Sequence, residues 1–342
     1  MLTTPKSIDA IDSKVDSLLG SMTLEEKVGQ LMVFPIYGAL ITPDIVELID
    51  KYHIGGLRIT QKFHPGADEH RRKDPPPEFL ARTLPKPDTT TYDRPPELER
   101  ITWTPREQVE AVNELRERAM NRRIGIPLHF AFDQEGEGAD FLFGQRLLPY
   151  PMGLRASGEP ELAYKAALAA GRQAHALGAN LIHSPVLDVN TNSANPEIGP
   201  RSYSNNPDEV SEYALASLRG FNEGGIACTA KHYPGRGDSA TDAHFGLPEI
   251  SLSEEELYRI HINPFKQLIE GGVQAVMAAF TSYPSLDPSG NPAAVSERIM
   301  KGLLREELGF DGIVTTDNIE MGGLLEKYGM SEAAIMALNA GC

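Results

Sequence analysis

The sequence predicts an α/β fold: a (β/α)8 TIM-type barrel that lacks its last strand and helix within these 342 residues. Two observations carry this reading. Seven short, continuous apolar runs recur along the chain, the signature of strands buried on both faces of a parallel sheet. Between them lie amphipathic stretches of helical length, so the chain reads as seven βα units in one direction. An open doubly wound sheet is the alternative for the same alternation.

The elements follow in order. Thr23 with Glu26 three residues on forms a capping box, which opens a helix ahead of the first strand, Leu31–Phe34. The second and third strands are Gly56–Ile59 and Leu128–Phe132. Pro160–His175, rich in Ala, Leu and Arg, is a helix leading to the fourth strand, Leu181–Ser184. Ala227–Ala230 is the fifth. Ser253 and the acidic run behind it cap a helix before the sixth strand, Ala275–Ala279. Ser296–Leu308 ends at Gly309, a helix stop, and the seventh strand is Gly312–Thr316. An eighth strand is expected after a helix ending near Ala340-Gly341. Residues 61–106 break the rhythm. They hold nine of the 26 prolines, which excludes regular helix and central strand, and read as a long insertion on the rim after the second strand. Residues 1–342 are thus expected to be one barrel domain with this insertion, with room for a further C-terminal region after them.

Composition narrows the function. There are 32 basic and 48 acidic residues, so the net charge is 32 − 48 = −16. Such a chain lacks the basic face a nucleic-acid binder needs. No apolar run approaches the roughly 18 residues of a membrane helix. Met1–Ala10 has no apolar signal core, from which a cytoplasmic location is expected. Two cysteines, Cys228 and Cys342, cannot make a disulfide scaffold or a zinc site by themselves.

Barrel enzymes place their chemistry just past the C-terminal ends of the strands. Those positions here hold Asp133-Gln134-Glu135-Gly136, then Asp188-Val189-Asn190, then Lys231-His232 with the loop Pro234–Asp238 and Asp242-Ala243-His244, and finally Asp317-Asn318. A strand-end carboxylate can act as nucleophile and a loop group as acid and base. A histidine titrates in the right range for both, and Asp242 could orient His244 and stabilise its cation. A zinc site from His232, Asp238, Asp242 and His244 is the other reading of these residues. Gly235-Arg236-Gly237 lacks the spacing of a phosphate loop.

Several of these segments together resemble glycoside hydrolase family 3, in its β-N-acetylglucosaminidase branch. The segments are Met22–Leu31, Asp133–Gly136, Pro185–Asn190 with Ile198–Tyr203, Lys231–Asp238 with Asp242–His244 and Leu247-Pro248, and Val314–Asn318. The resemblance implies that Asp317 is the catalytic nucleophile and His244 the acid/base, with Asp242 as its partner. It implies that Asp133, Arg201, Lys231 and His232 hold the sugar. It further implies a retaining exo-β-glycosidase that releases N-acetylglucosamine, with a carbohydrate substrate and neither cofactor nor metal. Alternatives on the same site are a β-glucosidase, a glycoside phosphorylase, or a non-catalytic sugar-binding barrel. Two departures stand out. The family usually reads Pro-Gly-His-Gly where this chain has Arg236. Phe141 stands near the family's further sugar-binding Arg, with Arg146 a candidate replacement.

Overall fold

The computed structural model describes residues 8–37, 41–60, 105–136, 148–325 and 327–342. Seven strands form one parallel sheet in sequential order: β1 (Val33–Tyr37), β2 (Gly56–Thr60), β3 (His129–Asp133), β4 (Leu181–His183), β5 (Ala227–Tyr233), β6 (Ala275–Ala278) and β7 (Ile313–Thr316). All seven predicted strands are present, and sequential parallel order with intervening helices is the barrel pattern, not the doubly wound one. Among the described residues β1 pairs only with β2 and β7 only with β6, so the sheet is a curled, open barrel wall. The expected helix before an eighth strand is Met330–Ala340, closed by Gly341 in the left-handed conformation (φ 111°).

Most of the insertion, residues 61–104, lies outside the described residues, as do Phe141 and Arg146. The expected boundary at residue 106 is corrected: Pro105 and Arg106 open the helix Pro105–Met120. Proline suits a first helical turn, because its missing N–H has no partner there. The capping boxes at Thr23 and Ser253 are both formed.

Register assigns each side chain to a face. Ala131 pairs with Arg58 on one side and Leu181 on the other, Leu181 with Ala227, and Thr229 with Ala275, which pairs with Ile313. Side chains two apart share a face. Arg58, Asp133, His183, Lys231 and Asp317 therefore project to one side, as do the small buried cluster Ala131, Leu181 and Ala275. Phe130, Phe132, Ile182, Cys228 and Val276 face the other side and join the main core under the helices. The polar residues are the C-terminal continuation of a narrow interior layer.

The closest helix contact is between Pro160–Ala176 and Pro207–Glu223. Ala167 and Gly171 meet Gly220 and Gly224 there, and a Cβ on Gly220 would stand 2.3 Å from Tyr164 O. Helix propensity alone would favour Gly220→Ala by about 1 kcal/mol. The clash reverses the sign, and we expect a net loss of about 1–3 kcal/mol in urea unfolding. A stabilised variant would show that the two backbones are not held this closely.

Candidate active site

The strand ends carry a chain of charges that alternate in sign. At β2, Arg58 donates through Nε to Asp133 Oδ2 at 2.8 Å. Lys231 Nζ donates to Asp133 Oδ1 at 2.5 Å and pairs also with Glu135. Arg201 grips Glu135 with both ends of its guanidinium, NH2 to Oε1 at 2.9 Å and Nε to Oε2. Its NH1 lies 3.8 Å from Glu197 Oε1. Arg236 NH2 is 2.6 Å from that same Oε1, and Arg236 NH1 is 3.2 Å from Asp317 Oδ2. The order is Arg58, Asp133, Lys231, Glu135, Arg201, Glu197, Arg236, Asp317: four cations interleaved with four carboxylates.

Burial makes this pairing obligatory, because an unpaired ion away from water is costly. Lys231 and Arg236 are each 2% exposed, and Glu197 5%. Burial alone would raise the Asp133 carboxyl, but Arg58 and then Lys231 pull it well below the usual carboxylate range. Burial is likewise outweighed at Glu135, where Arg201 and Lys231 bring the carboxyl down to about 2. The two acids in turn keep Lys231 protonated against its own burial.

His232 reaches the site by a different route. It follows Lys231 in β5, so in regular strand it would face away. The register with β6 shifts between Lys231 and Tyr233, and this irregularity re-aims the side chain. His232 Nδ1 lies 2.6 Å from Asp188 Oδ2, and Nε2 is 3.9 Å from Asp317 Oδ2. Burial, with Arg236, Arg201 and Lys231 nearby, holds the imidazole neutral, its pKa far below the usual value. Burial also raises Asp188, to about 6, with Arg236 opposing. At neutral pH the pair is thus a carboxylate and a neutral imidazole whose Nδ1–H donates. Asp188 additionally accepts the Arg236 backbone N–H at 2.7 Å, so one buried acid orients both residues.

The loop after β5 carries the remaining pair. His244 Nδ1 is 2.7 Å from Asp242 Oδ1, and the His244 backbone N–H donates to the same oxygen at 2.8 Å. Burial would raise Asp242, but its hydrogen bonds with His244 lower it, so it is a carboxylate beside the ring. With Nδ1 committed, Nε2 is the nitrogen left for proton transfer, on a side chain 40% exposed. The first half of the loop is tied down. Tyr283 Oη donates to Gly235 O, Asn195 Nδ2 to Arg236 O and Asn192 Nδ2 to Asp238 O. A Cβ on Gly237 would fall 1.9 Å from Val189 O, so glycine is required by close approach. His244 Nδ1 also stands 3.7 Å from Glu197 Oε1.

Thus Asp133, Arg201, Lys231, Arg236 and Asp317 form one network, and the Asp242–His244 pair joins it at Glu197. Sequence reasoning placed Glu135, Asp188 and Arg236 at strand ends without assigning them a role, and did not select Arg58 or Glu197. Arg58 had a signal, as the one charge in the otherwise apolar run Gly56–Ile59. Glu197 had none, since its loop has no periodicity. The four-ligand zinc alternative is not assembled: the His232 Nδ1 faces Asp188, and Asp238 accepts from Thr191. Instead Glu197, Asp242 and His244 bring ligand atoms within 4.8 Å of one another. Arg236 already supplies a positive charge to the first of them.

Residues 23–342 match the family described as the glycosyl hydrolase family 3 N terminal domain. Beta-hexosaminidase A of Pseudoalteromonas piscicida is 32% identical over 249 residues, which are 68% of this chain and 42% of that protein. The solved structure of a family 3 β-N-acetylglucosaminidase from Paenibacillus sp. str. FPU-7 has a TM-score of 0.79 at 35% identity, covering 94% of this chain and 54% of that one. NagZ from Neisseria gonorrhoeae, solved in complex with N-trifluoroacetyl-D-glucosamine, has a TM-score of 0.70 at 27% identity, covering 91% of this chain and 79% of that one. The chain spans about half the length of the first relatives it matches.

The charge chain predicts an acid limb in stability. Glu135 and Asp133 are lowered by folding, so the stability they contribute is complete above about pH 4.5 and is lost as pH falls toward 2. Asp188, raised to about 6, acts oppositely between its ordinary value near 3.8 and 6, where folding takes up its proton. The fall should therefore begin below pH 4. In Glu135→Gln the Tm should be lower at pH 7 and its decline from pH 4.5 to 2.5 shallower. Parallel declines in the two proteins would show that Glu135 is not held ionised by the fold.

Proposed function

This chain belongs to glycoside hydrolase family 3, and from that premise we propose that it is a retaining exo-β-glycosidase releasing N-acetylglucosamine from non-reducing ends. The observation that carries the reading is the placement of the strand-end carboxylate Asp317 and the Asp242–His244 pair about one shared Glu197–Arg236 ion pair. The named beta-hexosaminidase and β-N-acetylglucosaminidase relatives support the choice of sugar.

Asp317 attacks the anomeric carbon and forms a glycosyl-enzyme while His244 Nε2 protonates the departing oxygen. His244 then takes a proton from water, which hydrolyses the intermediate with net retention. Asp242 orients the imidazole and stabilises its cationic form, as the carboxylate of a catalytic triad does. Asp133 and Arg201, at the open side of the charge chain, accept from and donate to sugar hydroxyls. Lys231 retains one donor beyond its two carboxylates, and His232 one ring nitrogen, for the same purpose. No cofactor enters this scheme. The acidic chain suits a neutral amino sugar better than a polyanion.

Two measurements test the assignment. Asp317→Ala should lower turnover of aryl β-N-acetylglucosaminides by at least about 10³-fold, several kcal/mol of lost transition-state stabilisation, with the fold intact. Near-normal turnover would defeat it. His244→Ala should impair substrates with poor leaving groups far more than activated aryl glycosides, because only the former need protonation. Asp242→Asn should do less damage than His244→Ala. Equal losses across leaving groups would remove His244 from the acid role, and release of sugar-1-phosphate in phosphate buffer would mark a phosphorylase instead.

A further inference from the structure

Arg236 is the largest fully buried side chain among the described residues, and it is a charged one. Its surroundings are built rather than incidental. The backbone N–H donates to Asp188, the carbonyl accepts from Asn195, and the preceding carbonyl accepts from Tyr283. Gly235 takes φ 120°, and Gly237 is pressed against Val189 O, so the residues on either side are seated without freedom. Asn195 also accepts the Glu197 backbone N–H at 2.9 Å through Oδ1. One amide side chain therefore fixes the backbone of both members of the Arg236–Glu197 pair. From that seat the two amines of the guanidinium diverge, NH2 to Glu197 at 2.6 Å and NH1 to Asp317 at 3.2 Å. Glu197 in turn accepts the Ala243 N–H through Oε2 at 3.4 Å, next to His244.

We propose that Arg236 is a positioning residue that clamps the nucleophile-bearing strand end to the acid/base loop through Glu197. The inference rests on the roles given to Asp317 and His244 above, and goes beyond them by making one guanidinium set their relative placement. The chemistry calls for arginine. A planar fork can address two carboxylates in different directions at once, whereas a lysine ammonium is a single point and an imidazole cannot span both. The clamp thus belongs to the sequence Pro-Gly-Arg-Gly of this chain, residues 234–237. It also leaves Arg236 paired throughout the reaction. When Asp317 Oδ becomes bonded to the anomeric carbon its charge is lost, and Arg236 is still neutralised by Glu197. When water displaces the sugar, the carboxylate returns to a waiting cation.

The test is the rate at which a fluorinated aryl β-glycoside labels Asp317, read by peptide mass spectrometry, alongside the Kd for N-acetylglucosamine. In Arg236→Met labelling should slow by about 10²-fold, the scale of a small misplacement of reacting groups, with Kd changed less than about three-fold. Arg236→Lys keeps the charge but not the fork, and should fall between, about ten-fold slow. Arg236→Met takes from Glu197 its 2.6 Å partner, so the double variant Arg236→Met/Glu197→Gln guards against misfolding, since removing both partners is far milder than removing one. It should fold and remain slow. Labelling within three-fold of the unsubstituted protein in either Met variant overturns the clamp. So does a parallel loss of labelling and sugar affinity, which would mark a merely structural residue. Absence of any label on Asp317 in the unsubstituted protein defeats the underlying assignment instead, and the clamp with it.

Discussion

The organising constraint of this structure is that buried charges must be neutralised by neighbours. Eight groups of alternating sign run from Arg58 to Asp317, and each interior member is shared between two neighbours of opposite sign. The sheet makes this possible. Parallel pairing directs β2, β3, β5 and β7 the same way, and the two-residue period turns Arg58, Asp133, Lys231 and Asp317 to the same face. On the same face Ala131, Leu181 and Ala275 form a small buried apolar cluster beside the charges. Low dielectric there strengthens every pair and penalises every omission.

Loops then convert a strand-end network into a site. The chain after β4 supplies Asp188, Glu197 and Arg201, and the chain after β5 supplies Arg236, Asp242 and His244. The two segments are bonded to one another repeatedly, through Asn192, Asn195 and Asp188. Asp188 is the hub on one side, holding His232 and the Arg236 backbone, and Glu197 is the hub on the other, meeting Arg236, Arg201 and the Asp242–His244 turn. His244 is more exposed than Asp242 and Glu197, the two acids it is tied to.

The helical layer serves this arrangement by packing tightly where the site needs rigidity. The helices Pro160–Ala176 and Pro207–Glu223 flank β4 and β5, and their contact is made of alanines and glycines that let the backbones approach. At the sheet edges the packing is looser: Val33 and Ile313 are 40% and 61% exposed on β1 and β7. The site thus grows from the better-packed middle of the sheet and reaches the edge strand only through Asp317.

What the sequence determined by itself was whatever short-range chemistry decides. The seven strands are legible as apolar runs, the helix starts at Thr23 and Ser253 as capping boxes, and Asp133, Lys231 and Asp317 as polar residues at strand ends. Resemblance of motifs then pointed to the family. Tertiary structure alone decided the pairings. Arg58 and Asp133 are 75 residues apart, Arg201 and Glu135 66, and Lys231 and Asp133 98, and no local periodicity records which cation meets which acid. The register shift after Lys231 is likewise invisible in the residue order, yet it turns His232 toward Asp188. Glu197 reads as an ordinary loop residue, and Arg236 only as a departure in its motif, until the β4 and β5 loops are brought together. Ion pairing acts through space while propensity acts along the chain, so the elements could be read from the sequence and the wiring of the site could not.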